Sequence, residues 1–296
     1  TYYWRADPVV SSPPPTAHKG AVWSFTTRLF VPISDPNLVG WWKLDGEPGS
    51  LVFDYSGHEN HGTAQGGIAV TPGRDANAFD FDGGNNYVEL PRNLVGSGRG
   101  AVAMWIRTTQ AADGMIFYGT ETNGNGYGSQ NELHVNMAPA GGARIYIQGS
   151  TSINMTSSPI NDNEWHHVAA AWDIAGEVKL YVDGGSTGTT AHTGNIFNLA
   201  GYIRLGRPEA SERYYDGLLD DVQLYDYALS ARQIKVLAGR LTAASPNPAD
   251  GSNDVERTPV LSWEAGAYPA AVSGHKVYFS ADRDAVMNRT VTGITR

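Results

Sequence analysis

The chain has 296 residues, with 21 Lys+Arg against 30 Asp+Glu for a net charge of −9, and it contains no cysteine. The acidic balance excludes a phosphate-tracking surface as its main business, because nucleic-acid binders cluster Lys and Arg. The missing cysteines exclude a disulfide scaffold, a zinc–thiolate site and a cysteine nucleophile, and no run of about 18 apolar residues is present to span a bilayer.

Length predicts roughly two domains at about 150 residues each. Charged residues make up only 17% of the chain, below the roughly 25% usual for globular domains. Gly, Pro, Tyr and Trp are abundant instead, the composition of short strands joined by tight turns. The first residues, Thr1 to Arg5, carry neither the basic nor the apolar stretch of a signal peptide, so the chain reads as a slice of something longer. A Pro/Ser/Asn-rich linker follows at 28–37 (RLFVPISDPN).

Beyond it, apolar residues recur with period two, the mark of half-buried strands. Phe79 and Phe81 alternate with Asp80 and Asp82. The same pattern holds for Val102/Met104/Ile106, Leu133/Val135/Met137 and Ile145/Ile147. In the last such strand Val178, Leu180 and Val182 oppose Lys179, Tyr181 and Asp183. Turns are predicted at Asp82–Asn85, Gly124–Gly126 and Asp183-Gly184, where positive φ comes at little cost. A single helix is predicted over 229–239 (LSARQIKVLAG), with Ser230 as N-cap, Gln233 completing a capping box and Gly239 as stop. One helix after many strands predicts an all-β antiparallel sandwich rather than an α/β fold. A second linker at 241–253 (LTAASPNPADGSN) then leaves flanks too small to fold alone without disulfides, metals or a partner.

Six ordered motifs in the central block resemble the bacterial form of the laminin G-like domain, of the concanavalin A-like lectin/glucanase superfamily. They are GWWKLD at 40–45, DYSGHENHG at 54–62, FDFDG at 79–83 leading into NYVE at 86–89, EWHHV at 164–168, KLYVDG at 179–184, and DGLLDDVQLY at 216–225 before ALS at 228–230. The resemblance implies an antiparallel jelly-roll β-sandwich over residues 38–240. Residues 1–30 (YYWRADPV…KGAVWSFTT) resemble the closing strands of a fibronectin type III-like domain, and residues 245–296 (SPNPADGSNDVERTPVLSWEAG…HKVYFS) the opening strands of another. On that reading the flanks are immunoglobulin-like half-sandwiches. They would be completed by copies of this chain or by neighbouring repeats, hiding sheet edges that otherwise template aggregation.

Three kinds of chemistry bear on this frame. Calcium wants six to eight oxygens, and the oxygen-rich loop 54–60 offers Asp54 and Asn60. By resemblance Asp220 aligns with the acid that binds structural calcium in similar sandwiches, and Asp45 ends the strand beside it. These four residues are the expected metal set, the alternative being acids that cap turns. Carbohydrate is the second expectation, since lectin relatives hold sugars on an outer sheet face. Opposite the apolar faces lie Trp105, His134, Asn136, Arg144, Tyr146, Gln148, Lys179 and Tyr181, with Tyr127 in a polar loop at the rim. A solvated face with cross-strand Tyr–Arg pairs gives the same pattern. For catalysis, no Glu-x-Asp-x-x-Glu strand of paired carboxylates, nucleophile elbow or P-loop is present, so no enzyme is expected. The expectation is an extracellular or cell-surface adhesion or structural module that polymerises through its flanks. The alternative is a calcium-stabilised carbohydrate-binding module serving a glycoside hydrolase.

Overall fold

The computed structural model of the chain describes residues 35–46, 51–95, 98–120, 132–148, 152–173, 175–191, 201–208, 213–239 and 261–262 in full. It describes strand backbone alone at 2–5, 9–10, 16–17, 22–25, 244–247, 263–264, 276–277 and 294–295. Two compact units result, Thr1–Asp35 and Pro36–Arg296. In the first, β1 (Tyr2–Arg5) pairs with β4 (Val22–Phe25), and β2 (Val9–Val10) with β3 (Thr16–Ala17).

The second unit contains two eight-stranded sheets, antiparallel throughout. In the chain these strands are β5 (Leu38–Trp42), β6 (Leu51–Val52), β7 (Gly62–Gln65), β8 (Ala69–Pro72), β9 (Asn77–Asp82), β10 (Tyr87–Leu90), β11 (Arg99–Arg107) and β12 (Gly114–Thr120). They continue as β13 (Glu132–Met137), β14 (Gly142–Gln148), β15 (Ile153–Pro159), β16 (His166–Asp173), β17 (Glu177–Val182), β18 (Gly185–Ala191), β19 (Ile203–Leu205) and β20 (Asp216–Tyr225). The first sheet has the order β15-β14-β13-β12-β19-β10-β7-β6. The second runs β18-β17-β16-β11-β20-β9-β8, with β5 pairing β20 off that path. Non-consecutive neighbours such as β12–β19–β10 are the crossovers of a jelly roll. The expected fold class holds.

Every alternation read above turns its apolar side inward. Phe79, Phe81, Val102, Met104, Ile106, Leu133, Val135, Met137, Ile145, Ile147, Val178 and Leu180 are all buried in one core between the sheets. Trp42 and Trp172 are its largest members, and each lies over a glycine. A Cβ on Gly40 would sit 2.2 Å from the Trp42 ring, and one on Gly100 2.5 Å from the Trp172 ring. Close-packed interiors leave no room for that extra atom.

A smaller apolar cluster lies on the outer side of the second sheet. There α1 (Ala231–Leu237) seals Ala101, Ala103, Ala169, Ala171, Trp41 and Tyr225 with Leu229 and Ile234. Four alanines on adjacent strands let the helix approach. The predicted capping box is formed: Gln233 N donates to Ser230 Oγ at 3.3 Å and Ser230 N to Gln233 Oε1 at 3.0 Å. The hairpin turn Asp183-Gly184 has φ of 50° and 76°, the mirror-image turn that Asp-Gly favours; the turn expected at Gly124–Gly126 lies outside the described residues. After the helix, β21 (Ala244–Asn247) pairs β22 (Ser262–Glu264), and β23 (Lys276–Val277) pairs β24 (Ile294–Thr295).

Candidate functional site

On the first sheet, the side opposite the core is not an ordinary solvated face. Strand registers align one row across all eight strands: Asn154, Tyr146, His134, Tyr118, Arg204, Glu89, Thr63 and Leu51. His134 stands between two tyrosine rings, 5.2 Å from Tyr118 and 5.4 Å from Tyr146. Below it Glu132 takes a hydrogen bond from Tyr118 Oη (3.2 Å) and meets His134 Nε2 at 3.0 Å. Burial, the largest influence, lowers the His134 pKa; the Glu132 hydrogen bond opposes it, while Arg213 and Arg144 add to it. The imidazole is therefore neutral, and its Nε2–H donates to the Glu132 carboxylate; the contact is a charge-assisted hydrogen bond rather than an ion pair.

Beside this row, Asp113 gathers three donors. Arg144 binds both its oxygens at 2.8 and 2.9 Å, Arg213 reaches it at 3.1 Å, and Asn136 donates through Nδ2. Asn136 also accepts from Arg144 Nε at 3.2 Å, so the guanidinium is held in one plane. Farther along, arginines and tyrosines alternate in a stack: Arg92 over Tyr202, Arg204 between Tyr202 and Tyr87, and Arg207 between Tyr87 and Tyr214, at 4.2–5.3 Å.

The structure sorts the expected sugar-face residues. His134, Asn136, Arg144, Tyr146 and Gln148 share this face. His134 and Asn136 are only 2% and 0% exposed, so they underlie the surface and do not form it. Arg144, Tyr146 and Asp113 are half-buried and reach solvent. Trp105, Lys179 and Tyr181 do not belong here; they lie on β11 and β17 of the second sheet. Tyr181 is packed into the cluster under α1, and Trp105 lies between His167 and Arg74. Alternation reports inside against outside, not which of two sheets a strand joins. Tyr127 lies outside the described residues. Glu132, Tyr118, Asp113 and Arg204 were missed. The first shares the strand parity of His134 and could have been read; Asp113 sits before β12, with no sequence signal.

The four expected metal ligands separate into two places. Asp54 accepts from Trp41 N and Ser56 N on Oδ1, both at 2.8 Å, and from Ser56 Oγ (2.7 Å) and Asn60 N (2.9 Å) on Oδ2. Asn60 spends its side-chain amide on Val39 O at 2.8 Å. Both oxygens of Asp54 thus accept from β5 and from the loop's own turn, and the Asn60 amide is anchored to Val39. Asp220 and Asp45 differ. Asp220 is 1% exposed, and its Oδ2 accepts from Arg74 N (2.8 Å) and Asp75 N (3.1 Å). Asp45 Oδ1 accepts from Asn77 N at 2.9 Å. Among the described residues, Asp45 Oδ2 accepts no hydrogen bond. Burial, then the charges of Asp221 and Asp45, push the Asp220 carboxyl up to about 8 against backbone hydrogen bonds from Arg74 and Asp221. The loop beside it needs Gly73, where a Cβ would fall 2.3 Å from Asn77 O and 2.7 Å from Asp220 Oδ2. Two coupled carboxylates in an oxygen-rich cradle fit a hard cation. No group of three His, Asp or Glu side chains converges among the described residues, so carbonyls and water would supply the other ligands.

Residues 82–235 match a family model, Laminin_G_3, described as the concanavalin A-like lectin/glucanases superfamily. Among curated relatives, the rat "Sushi, von Willebrand factor type A, EGF and pentraxin domain-containing protein 1" is 26% identical over 170 residues, covering 54% of this chain and 5% of that protein. The adhesion G-protein coupled receptor V1 of Danio rerio is 30% identical over 148 residues, 46% of this chain and 2% of that protein. The chain thus spans a small fraction of the curated relatives it matches. Among solved structures, domain 4 of AbnA, a GH43 extracellular arabinanase from Geobacillus stearothermophilus in complex with arabinotriose, superposes with a TM-score of 0.58 at 22% identity. That match covers 68% of this chain and 98% of that domain. The binding domain of Paraclostridial Mosquitocidal Protein 1 gives 0.55 at 16% identity, over 68% and 52%. At these identities the structural matches report a shared fold.

Proposed function

The chain belongs to the concanavalin A-like lectin/glucanase superfamily, and from that premise we propose that it is a non-catalytic, extracellular binding module of an adhesion-type protein, holding carbohydrate on the outer face of its first sheet. One observation carries the reading: the buried Glu132–His134–Tyr118 network beneath that face and the half-buried Asp113–Asn136–Arg144 network beside it. Burying charged and polar groups is costly unless each is bonded. The effect of the two networks is to hold the Tyr146 ring, the Arg144 guanidinium and the Asp113 carboxylate in fixed positions. Tyr146 supplies a stacking surface for sugar C–H bonds, and Arg144 keeps Nη1, which bonds no group among the described residues, as a donor toward a hydroxyl. The arabinotriose bound to AbnA domain 4 and the adhesion receptor among the relatives support the same reading.

Calcium at Asp45 and Asp220 belongs to this proposal as a structural ion tying the strand-β5 end to β20; it would favour the ionised form of Asp220 beside Asp45. The finer reading of the flanks is polymerisation by mutual completion. It is supported by their pairing, among the described residues, only as two-stranded ribbons, which are marginal in water. Titration calorimetry with arabinotriose and a panel of neutral and acidic oligosaccharides tests the main claim. Tyr146→Ala and Arg144→Ala are expected to weaken the best ligand at least tenfold with the fold intact. Unchanged affinity in both variants, or no saccharide bound in the presence of calcium, overturns it.

A further inference from the structure

The second sheet carries a cleft of its own, on the side away from the first. Its volume is about 340 Å3. Registers place Arg107, Leu218 and Asp80 in one straight row across β11, β20 and β9, with Asp216 two residues along β20 from Leu218. At about 4.8 Å between strands, Arg107 and Asp80 stand roughly 10 Å apart with Leu218 as the floor between them. Thr109 and Asn163 close one wall.

The charged groups in this cleft are not spent on one another. Arg107 Nε donates to Asn163 O at 2.8 Å and to its Oδ1 at 3.3 Å, which fixes the guanidinium and leaves its terminal nitrogens open. Among the described residues, neither the Asp80 nor the Asp216 carboxylate accepts a hydrogen bond or joins an ion pair. Burial first, then the charges of Asp216 and Asp82, raise the Asp80 pKa, as expected of a carboxylate short of donors.

Charge decides the class of ligand. An inorganic anion would meet two carboxylates, and a small cation would meet the guanidinium on the opposite wall. A neutral molecule rich in hydroxyls avoids both conflicts: it donates to Asp80 and Asp216, accepts from Arg107, and lays its C–H face on Leu218. We propose that this cleft is a second saccharide subsite, taking one neutral sugar residue, on the sheet opposite the face described above. It stands apart from that face, so either can fail without the other.

The test is a titration of the isotope-labelled full chain with arabinotriose, cellotriose and glucose, reading backbone amide shifts. Saturable shifts at Thr109 and Leu218 are expected with at least one of these sugars. Asp80→Asn and Asp216→Asn should each weaken that binding at least tenfold, while Tyr146→Ala leaves it unchanged. Both substitutions remove a repelling charge, so folding is not at risk, and an unaltered melting midpoint verifies this. Absence of saturable shifts at Thr109 and Leu218 with all three sugars overturns the proposal. Larger shifts there with calcium chloride or glucuronate overturn it in favour of a cation or an anion. Failure of the first-sheet reading is seen separately, at the amides of Tyr146 and Gln148.

Discussion

Replacing Asp54 by alanine separates a turn cap from a metal ligand. The carboxylate satisfies three backbone N–H groups and one hydroxyl. Two of those donors, on Trp41 and Ser56, belong to buried residues. A buried donor left without a partner costs about 1–3 kcal/mol, so these two set a loss of about 2–6 kcal/mol. The loop at 57–59 is exposed and can relax to admit water, which places the expectation near the lower half, about 3 kcal/mol. Urea unfolding of the full chain, followed by tryptophan fluorescence, measures it in EDTA and again in calcium. The loss should be the same in both. Asp54→Asn keeps one acceptor oxygen and should fall between alanine and the parent. A loss under about 1 kcal/mol, or one present only with calcium, refutes the assignment of Asp54 as a cap.

Calcium itself should raise the melting midpoint of the parent, and Asp220→Asn should abolish that response; an unchanged midpoint between chelator and calcium in the parent removes the ion from the proposal. The two adjacent histidines should titrate in opposite senses. For His166, burial lowers the pKa but is outweighed by Asp183 at 2.8 Å and Asp162 at 3.1 Å, so the net shift is upward. Its contribution to stability is full below the unfolded value near 6.5 and is lost as pH rises through the folded one. His167 is buried, with Nδ1 unpartnered among the described residues, and burial pushes it down to about 4. It resists protonation, so stability is lost as pH falls from about 6.5 towards 4. Histidine ring NMR across pH 3.5–8 checks both, and a His167 titrating near 6.5 would contradict its burial. Gly100→Ala should cost about 1–3 kcal/mol by displacing Trp172, read as a lower urea midpoint.

Much of the architecture is legible from residue order because its causes are local. Side chains alternate with period two along any strand, so Val102/Met104/Ile106 and Leu133/Val135/Met137 declare their buried side without reference to a partner. Ser230 and Gln233 are three apart, and Asp183-Gly184 needs only its own φ angles; both features are formed as read. The candidate site was less legible. The outward residues of β11 and β13 carry the same signature, yet Trp105 and His134 lie on opposite sheets. Asp54 and Asp220 are expected as one ligand set, yet the first carries hydrogen bonds from Trp41 and its own loop while the second faces Asp45.

The amino-acid sequence alone thus determined the all-β class, the inward faces, the helix and its cap, and an acidic surface without disulfides, since each follows from propensity, periodicity or composition. Tertiary structure decided the rest. Strand order brings residues as distant as Glu89 and Arg204, or Asp113 and Arg213, within bonding reach. It also buries Glu132 and His134 beneath an outer face, where alternation along β13 predicts solvent. Those outcomes depend on which strands become neighbours across crossovers, and no local rule in the chain encodes that choice.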